Sequence, residues 1–175
     1  GRLDDAERSL SHAMNLTPRD SDIHLNMGHV RFSREDYEGA LESFTMASSL
    51  RMGWAKAHMN MGATLHRQSK YSEAETEFNR AVMLDTGDAE ALRGLGATLI
   101  SLKKLKDAES ALLRSYAISP AHPQTQFLLG QVFVSSEDFA RAKTFFSDVV
   151  DRLPNLIEAR LSLGHMLQML NQHPE

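Results

Sequence analysis

Residues 55–88 read AKAHMNMGATLHRQSKYSEAETEFNRAVMLDTGD, and this 34-residue stretch decides the fold. Its apolar residues do not alternate, as those of a half-buried strand would. They recur at i, i+3, i+4 and i+7, the spacing of one helical face. His58, Met61, Gly62 and Leu65 form one such stripe, and Ala74, Phe78, Ala81 and Leu84 form a second. A four-residue polar turn separates them, so the stretch predicts two helices joined tightly enough to lie antiparallel.

The same pattern continues on both sides. Gly28, Gly62, Gly96, Gly130 and Gly164 stand 34 residues apart, and Ala6, Ala40, Ala74, Ala108 and Ala142 share that pitch. Leu10, Phe44, Phe78, Leu112 and Phe146 follow each alanine by four residues, and Met27, Met61, Leu95, Leu129 and Leu163 precede each glycine. A fixed period of this length marks stacked supersecondary units rather than one closed globule. Units numbered from Ser21, Ala55, Ala89 and Pro123 carry glycine at position 8 and alanine at position 20. Helix A is predicted over positions 2 to about 14 and helix B over about 18 to 31. Small residues let paired helices approach to 8–10 Å, so glycine at 8 is expected to meet alanine at 20 where the two helices cross. Pro18, Pro120 and Pro154 share a column where proline ends helix B. Ser72 with Glu75 fits a capping box, and Gly53 and Gly87 fit helix ends.

A 34-residue helical hairpin with Leu-Gly at 7 and 8, Ala at 20, an aromatic at 24, Ala at 27 and Pro at 32 resembles the tetratricopeptide repeat. Two columns depart from it. Position 4 holds His24, His58, Leu92, Gln126 and Arg160 where the family often has Trp, and position 11 opens with Arg31. The resemblance implies an all-α, right-handed superhelical solenoid of antiparallel helix pairs. The expected organisation is a single array: helix B of a partial repeat over 1–20, full repeats over 21–54, 55–88, 89–122 and 123–156, and helix A of a partial or capping repeat over 157–175. Both ends then fall inside A-to-B turns, as in a piece of a longer array. Leu161, Leu163, Met166, Leu167 and Leu170 leave the last helix without the polar outer face of a capping repeat. End-to-end self-association through exposed terminal helices is therefore one expected mode of assembly.

In this family the A helices line a concave wall, with positions 2, 5, 6, 9, 12 and 13 facing the groove. The resemblance thereby selects Asn26, His29, Lys56, Met59, Asn60, His66, Arg93, Phe127 and Gln131 as candidate contacts for a peptide or partner. Asn26 and Asn60 share a column, and two carboxamides there would bond an extended backbone, as in the asparagine ladders of glycosyltransferase repeats. Chaperone-tail receptors of the family place basic and amide groups where this chain has Leu25, His29, Asn60, Glu90 and Gly94, so that ligand class is disfavoured. The wall passes from polar and weakly basic (His29, Lys56, Asn60, His66, Arg93) to apolar (Phe127, Leu128, Val134, Leu161). The implied function is a non-catalytic scaffold that binds a peptide segment or partner subunit within a larger assembly. The alternative is the repeat arm of a larger, glycosyltransferase-like enzyme that presents protein substrates.

Other chemistries find little support. A net charge of −4 and pI near 6.1 argue against a nucleic-acid partner, which needs a clustered basic excess. Cysteine is absent, so disulfides, thiolate ligands and cysteine nucleophiles are absent with it. The eight histidines show no i, i+3 or i, i+4 spacing and no HExxH motif, so neither a metal nor any other cofactor is expected. His24 and His58 are expected to be partly buried structural rings. Gly94-Leu95-Gly96 lacks a third glycine at position 99, and Glu73, Glu75 and Glu77 read as a solvated helix surface. No apolar run is long enough for membrane insertion.

Overall fold

A computed structural model describes residues 1–172. Among them are ten helices and no strand: α1 (Arg2–Leu16), α2 (Ser21–Ser33), α3 (Tyr37–Leu50), α4 (Ala55–Arg67), α5 (Tyr71–Leu84), α6 (Ala89–Ser101), α7 (Leu105–Ile118), α8 (Pro123–Ser135), α9 (Phe139–Arg152) and α10 (Ile157–Gln172). Residues 173–175, which the sequence reading assigned to the last repeat, lie outside the described residues. The A helices α2, α4, α6 and α8 each start at position 1 and run 13 residues, and the B helices α3, α5, α7 and α9 each start at 17 and run 14. Each B helix therefore follows its A helix after three residues, which leaves the antiparallel hairpin as the accessible packing.

The chain divides into two compact units, residues 1–87 and 88–175. In the first, α1 packs on α2, α2 on α3, α3 on α4 and α4 on α5. Its core contains Leu25, Ala40, Phe44, Ala47 and Ala57, with Phe32, Trp54 and Met61 against them. In the second, α6 packs on α7, α7 on α8, α8 on α9 and α9 on α10. Leu92, Leu112, Leu129, Phe133, Phe146, Val149 and Met166 are buried there. Full burial of a side chain of this size contributes about 1.5–3 kcal/mol, so the helices that bury an apolar stripe, α2 to α9, are held by it more than by intrinsic propensity.

The glycine column has a different partner from the one its spacing predicts. A Cβ on Gly28 would lie 2.4 Å from the ring of Phe44; on Gly62, 2.9 Å from Phe78; on Gly96, 2.5 Å from Leu112; and on Gly130, 2.5 Å from Phe146. The side chain that fills the vacancy is thus residue 24 of the same repeat rather than alanine 20. Glycine gives the A helix a socket, and the large apolar residue of the B helix enters it. Alanine 20 is fully buried in all four pairs, so it too lies at the helix contact, but it is not what the glycine clears a space for.

The A-to-B turns share one geometry. Glu35, Ser69, Lys103 and Glu137, all at position 15, adopt left-handed backbone with φ of 63°, 61°, 62° and 59°. The amide of residue 16 donates to the carbonyl of residue 11, and that of residue 15 to residue 12, in every turn. This is a Schellman C-cap built without glycine. A side chain in that conformation strains the backbone, and the sequence gives no hint of it because the position holds Glu, Ser and Lys. The B-helix starts also differ from expectation. Lys70, not Ser72, is the N-cap of α5, and Ser72 lies inside the helix, where its carbonyl accepts from the Thr76 hydroxyl. Aspartates cap elsewhere: Asp20 accepts from Asp22 N at 2.9 Å, Asp36 from Gly39 N at 3.0 Å, Asp88 from Glu90 N at 2.8 Å and Asp138 from Arg141 N at 3.0 Å. Backbone and guanidinium hydrogen bonds from Arg141 hold the Asp138 carboxyl below its usual range.

Two outcomes follow for stability. Gly96→Leu overpacks the socket held by Leu112 and lowers stability by about 1–3 kcal/mol, read as a fall in thermal midpoint by circular dichroism. Ser69→Gly relieves the left-handed strain and raises the denaturation midpoint by an amount equivalent to about 0.5–1 kcal/mol, an unchanged midpoint being the contrary result.

Candidate functional site

Helices α2 and α4 form the candidate face of the first unit. Asn26 and His29 are exposed on α2, and Lys56 is exposed at the start of α4. Because Gly28 admits Phe44, the His29 ring rides edge-on over it, with centroids 5.4 Å apart. Asn60 differs from the open ladder rung that the sequence suggests. It is only 8% exposed, and its Nδ2 donates to His29 Nε2 at 3.3 Å, tying α4 to α2. Met59 is also buried, at 9% exposure. The carboxamide column thus has one exposed member, Asn26, because the neighbouring A helix covers the second.

His66 is half-buried and meets the Tyr71 ring at 5.1 Å between centroids. Burial, and then the adjacent Arg67 charge, lower its pKa from the ordinary histidine value. Beneath this face lies a buried charged group that sequence reasoning treated as solvated surface. Glu77 is 8% exposed, receives His58 Nδ1 at 2.7 Å and receives Arg80 at 2.6 Å. Residue 23 of α5 points at residue 4 of α4, and the carboxylate is retained in the core because both oxygens are bonded. His24 is structural as well: it is buried, and its Nε2 donates to the Pro18 carbonyl at 2.8 Å.

Helices α6, α8 and α10 form the candidate face of the second unit. Arg93 is largely covered and lies 3.9 Å from Glu90, so its charge is partly answered within α6. Phe127 is half-buried with its ring 5.6 Å from Phe146, and Gln131 is exposed. An open cavity of about 340 Å³ lies beside Gln131, lined by Ile100, Val134, Phe146 and Met166 on its apolar side and by Gln131, Ser135, Ser162 and His165 on its polar side. No carboxylate, lysine or arginine lines it. Of the nine residues selected from the sequence only Gln131 lines this cavity, and the Phe127 ring packs on Phe146, which lines it. The residues that sequence reasoning left off the list, Ile100, Val134 and His165, do occupy positions 12, 12 and 9 of the groove-facing register. Among the described residues no group of three or more His, Asp or Glu comes together as a metal site, and no helix is long and apolar enough to cross a membrane.

The depressed pKa of His66 sets a pH dependence. The folded state disfavours its protonation while the unfolded chain accepts a proton near pH 6.5, so its contribution to stability is complete above that pH and is lost as pH falls through it toward the folded value. His66→Gln therefore flattens the loss of stability between neutral and mildly acid pH, measured by denaturant titration; an unaltered slope would contradict this.

Residues 59–124 match the family model described as tetratricopeptide repeat. A search of curated proteins gave no match. Among solved structures, the chain is similar to YrrB, described as a TPR protein with an unusual peptide-binding site, with a TM-score of 0.81, 20% identity, and coverage of 97% of this chain and 87% of that one. It is similar to MamA from Desulfovibrio magneticus RS-1, with a TM-score of 0.79, 22% identity, and coverage of 90% and 89%. PilF of Pseudomonas aeruginosa is also similar, with a TM-score of 0.80, 19% identity, and coverage of 99% and 86%. Its hairpins recur every 34 residues, and over residues 59–124 they match the tetratricopeptide repeat.

Proposed function

We propose that this chain is a non-catalytic interaction scaffold that holds a peptide segment or partner subunit against its A-helix faces, within a larger assembly. The observation that carries this reading is the open cavity of about 340 Å³ beside Gln131. Its rim offers a carboxamide, two hydroxyls and an imidazole to a peptide backbone, and its floor offers Val134, Ile100, Met166 and Phe146 to an apolar side chain. A lining without carboxylate, lysine or arginine favours backbone hydrogen bonding plus one apolar anchor over recognition of a charged terminus. The peptide-binding site of YrrB lends the reading support by analogy of fold. In the first unit, exposed Asn26, His29 and Lys56 supply a second, polar contact face.

Site-specific photo-crosslinking tests this in the source cell. A photoreactive residue replacing exposed Gln131 gives adducts with a partner, whereas one replacing exposed Thr144 on α9 gives none. Adding Val134→Asp removes the Gln131 adducts while helical content stays unchanged. Equal adducts at both positions, or adducts insensitive to Val134→Asp, would exclude the A-helix face as the binding surface.

A further inference from the structure

The second full repeat buries an acid that its fold does not require. Position 23 of the B helix is Ser43, Ala111 and Phe145 in the other three, so the packing there accepts hydroxyl, methyl and aromatic side chains. In the second it is Glu77, whose Oε2 receives His58 Nδ1 at 2.7 Å and whose Oε1 receives Arg80 at 2.6 Å. Removing a carboxylate from water is costly even when it is paired. Glu73 stands four residues before it on the same face of α5, at the spacing where like charges repel, and no other full repeat has carboxylates at both positions. Both border an open cavity of about 320 Å³, entirely within the first unit, walled by Leu41 of α3 and by Met61 and Leu65 of α4. Thr76, also in the lining, donates its hydroxyl proton to the Ser72 carbonyl at 3.1 Å and is left with lone pairs to offer. Among the described residues no lysine, arginine or histidine lines the cavity.

We propose that this cavity receives a lysine side chain from a partner protein, its methylenes against Leu41, Met61 and Leu65 and its ammonium between Glu73 and Glu77. Charge complementarity carries the choice. Arg80 answers one of the two carboxylates and is itself 56% exposed, so water screens its charge. Among the described residues Glu73 has no cationic partner. One negative charge therefore stands unanswered beside apolar walls, a combination that fits a cation on an alkyl stem. An ammonium fits better than a guanidinium. Each Glu77 oxygen already accepts one bond, so the parallel pair that a guanidinium fork takes from a carboxylate is not free, whereas an ammonium needs only single lone pairs. His58 and Arg80 hold the carboxylate in place before the lysine arrives, which limits the ordering that binding requires. None of the nine candidate contacts on the A-helix faces lines this cavity, so the inference is independent of peptide capture there.

Titration of the isotope-labelled chain with α-N-acetyl-lysine methylamide, followed by two-dimensional NMR, tests it. Saturable shifts are expected at the amides of Leu41, Thr45, Thr76 and Glu77. The norleucine analogue, which has the same stem and no ammonium, binds about tenfold more weakly, and so does the lysine probe to the Glu73→Gln variant. Thr45, at the α3 edge of the cavity, allows a second variant: Thr45→Lys supplies an ammonium from the chain itself. It raises the thermal midpoint, loses that gain when Glu73→Gln is added, and abolishes the shifts caused by the probe. Thr45 and Glu73 are both exposed, so neither change disturbs the packing. Equal binding of the norleucine analogue would overturn the proposal, as would shifts spread over every surface carboxylate or no shifts at all. Shifts confined to the surroundings of Gln131 would overturn it while leaving the reading of the A-helix faces in place.

Discussion

The contact on which the structure depends is the entry of residue 24 into the space left by glycine at position 8. Dispersion and burial act at van der Waals distance, and a single methyl at Gly28, 2.4 Å from the Phe44 ring, would push the helices of that pair apart. The same insertion occurs with Phe78, Leu112 and Phe146, so four hairpins close in the same way. Closing the hairpin sets the direction of each A helix, and that direction places positions 6, 9, 12 and 13 of successive A helices side by side within a unit. The cavity beside Gln131 and the bond from Asn60 to His29 are both consequences of this alignment.

The fold was legible in the sequence because packing repeats at a fixed pitch, and at Gly28, Gly62, Gly96 and Gly130 a Cβ would run into residue 24. What spacing alone could not show was the partner of each small residue. Alanine at 20 and glycine at 8 recur together, which suggests mutual contact, but the recurrence of a bulky residue at 24 is equally regular and proves to be the contact that matters. The left-handed residues at position 15 were hidden for the opposite reason. Glu35, Ser69, Lys103 and Glu137 carry no common chemistry, since the hydrogen bonds of the C-cap involve only backbone atoms.

The candidate site was legible in register and less so in exposure. Assigning positions 5 and 6 to a groove face places Met59 and Asn60 there, yet both are covered, because α2 and α4 lie close enough for Asn60 to bond His29. Position 9 stays open, as Gln131 shows, and position 12 contributes Ile100 and Val134 to the cavity. Glu77 shows the reverse error. A glutamate among other glutamates on a B helix reads as surface, and only the approach of His58 from the paired A helix explains its burial. Contacts between helices thus decide what a one-dimensional pattern leaves open.

A double-mutant cycle on Gly28 and Phe44 tests the socket most directly. Gly28→Ala should destabilise the wild-type chain, because the added methyl meets the ring, and should be neutral or stabilising once Phe44→Ala has emptied the space, giving a coupling of about 1 kcal/mol or more. Additive effects, with Gly28→Ala equally costly in both backgrounds, would contradict the account.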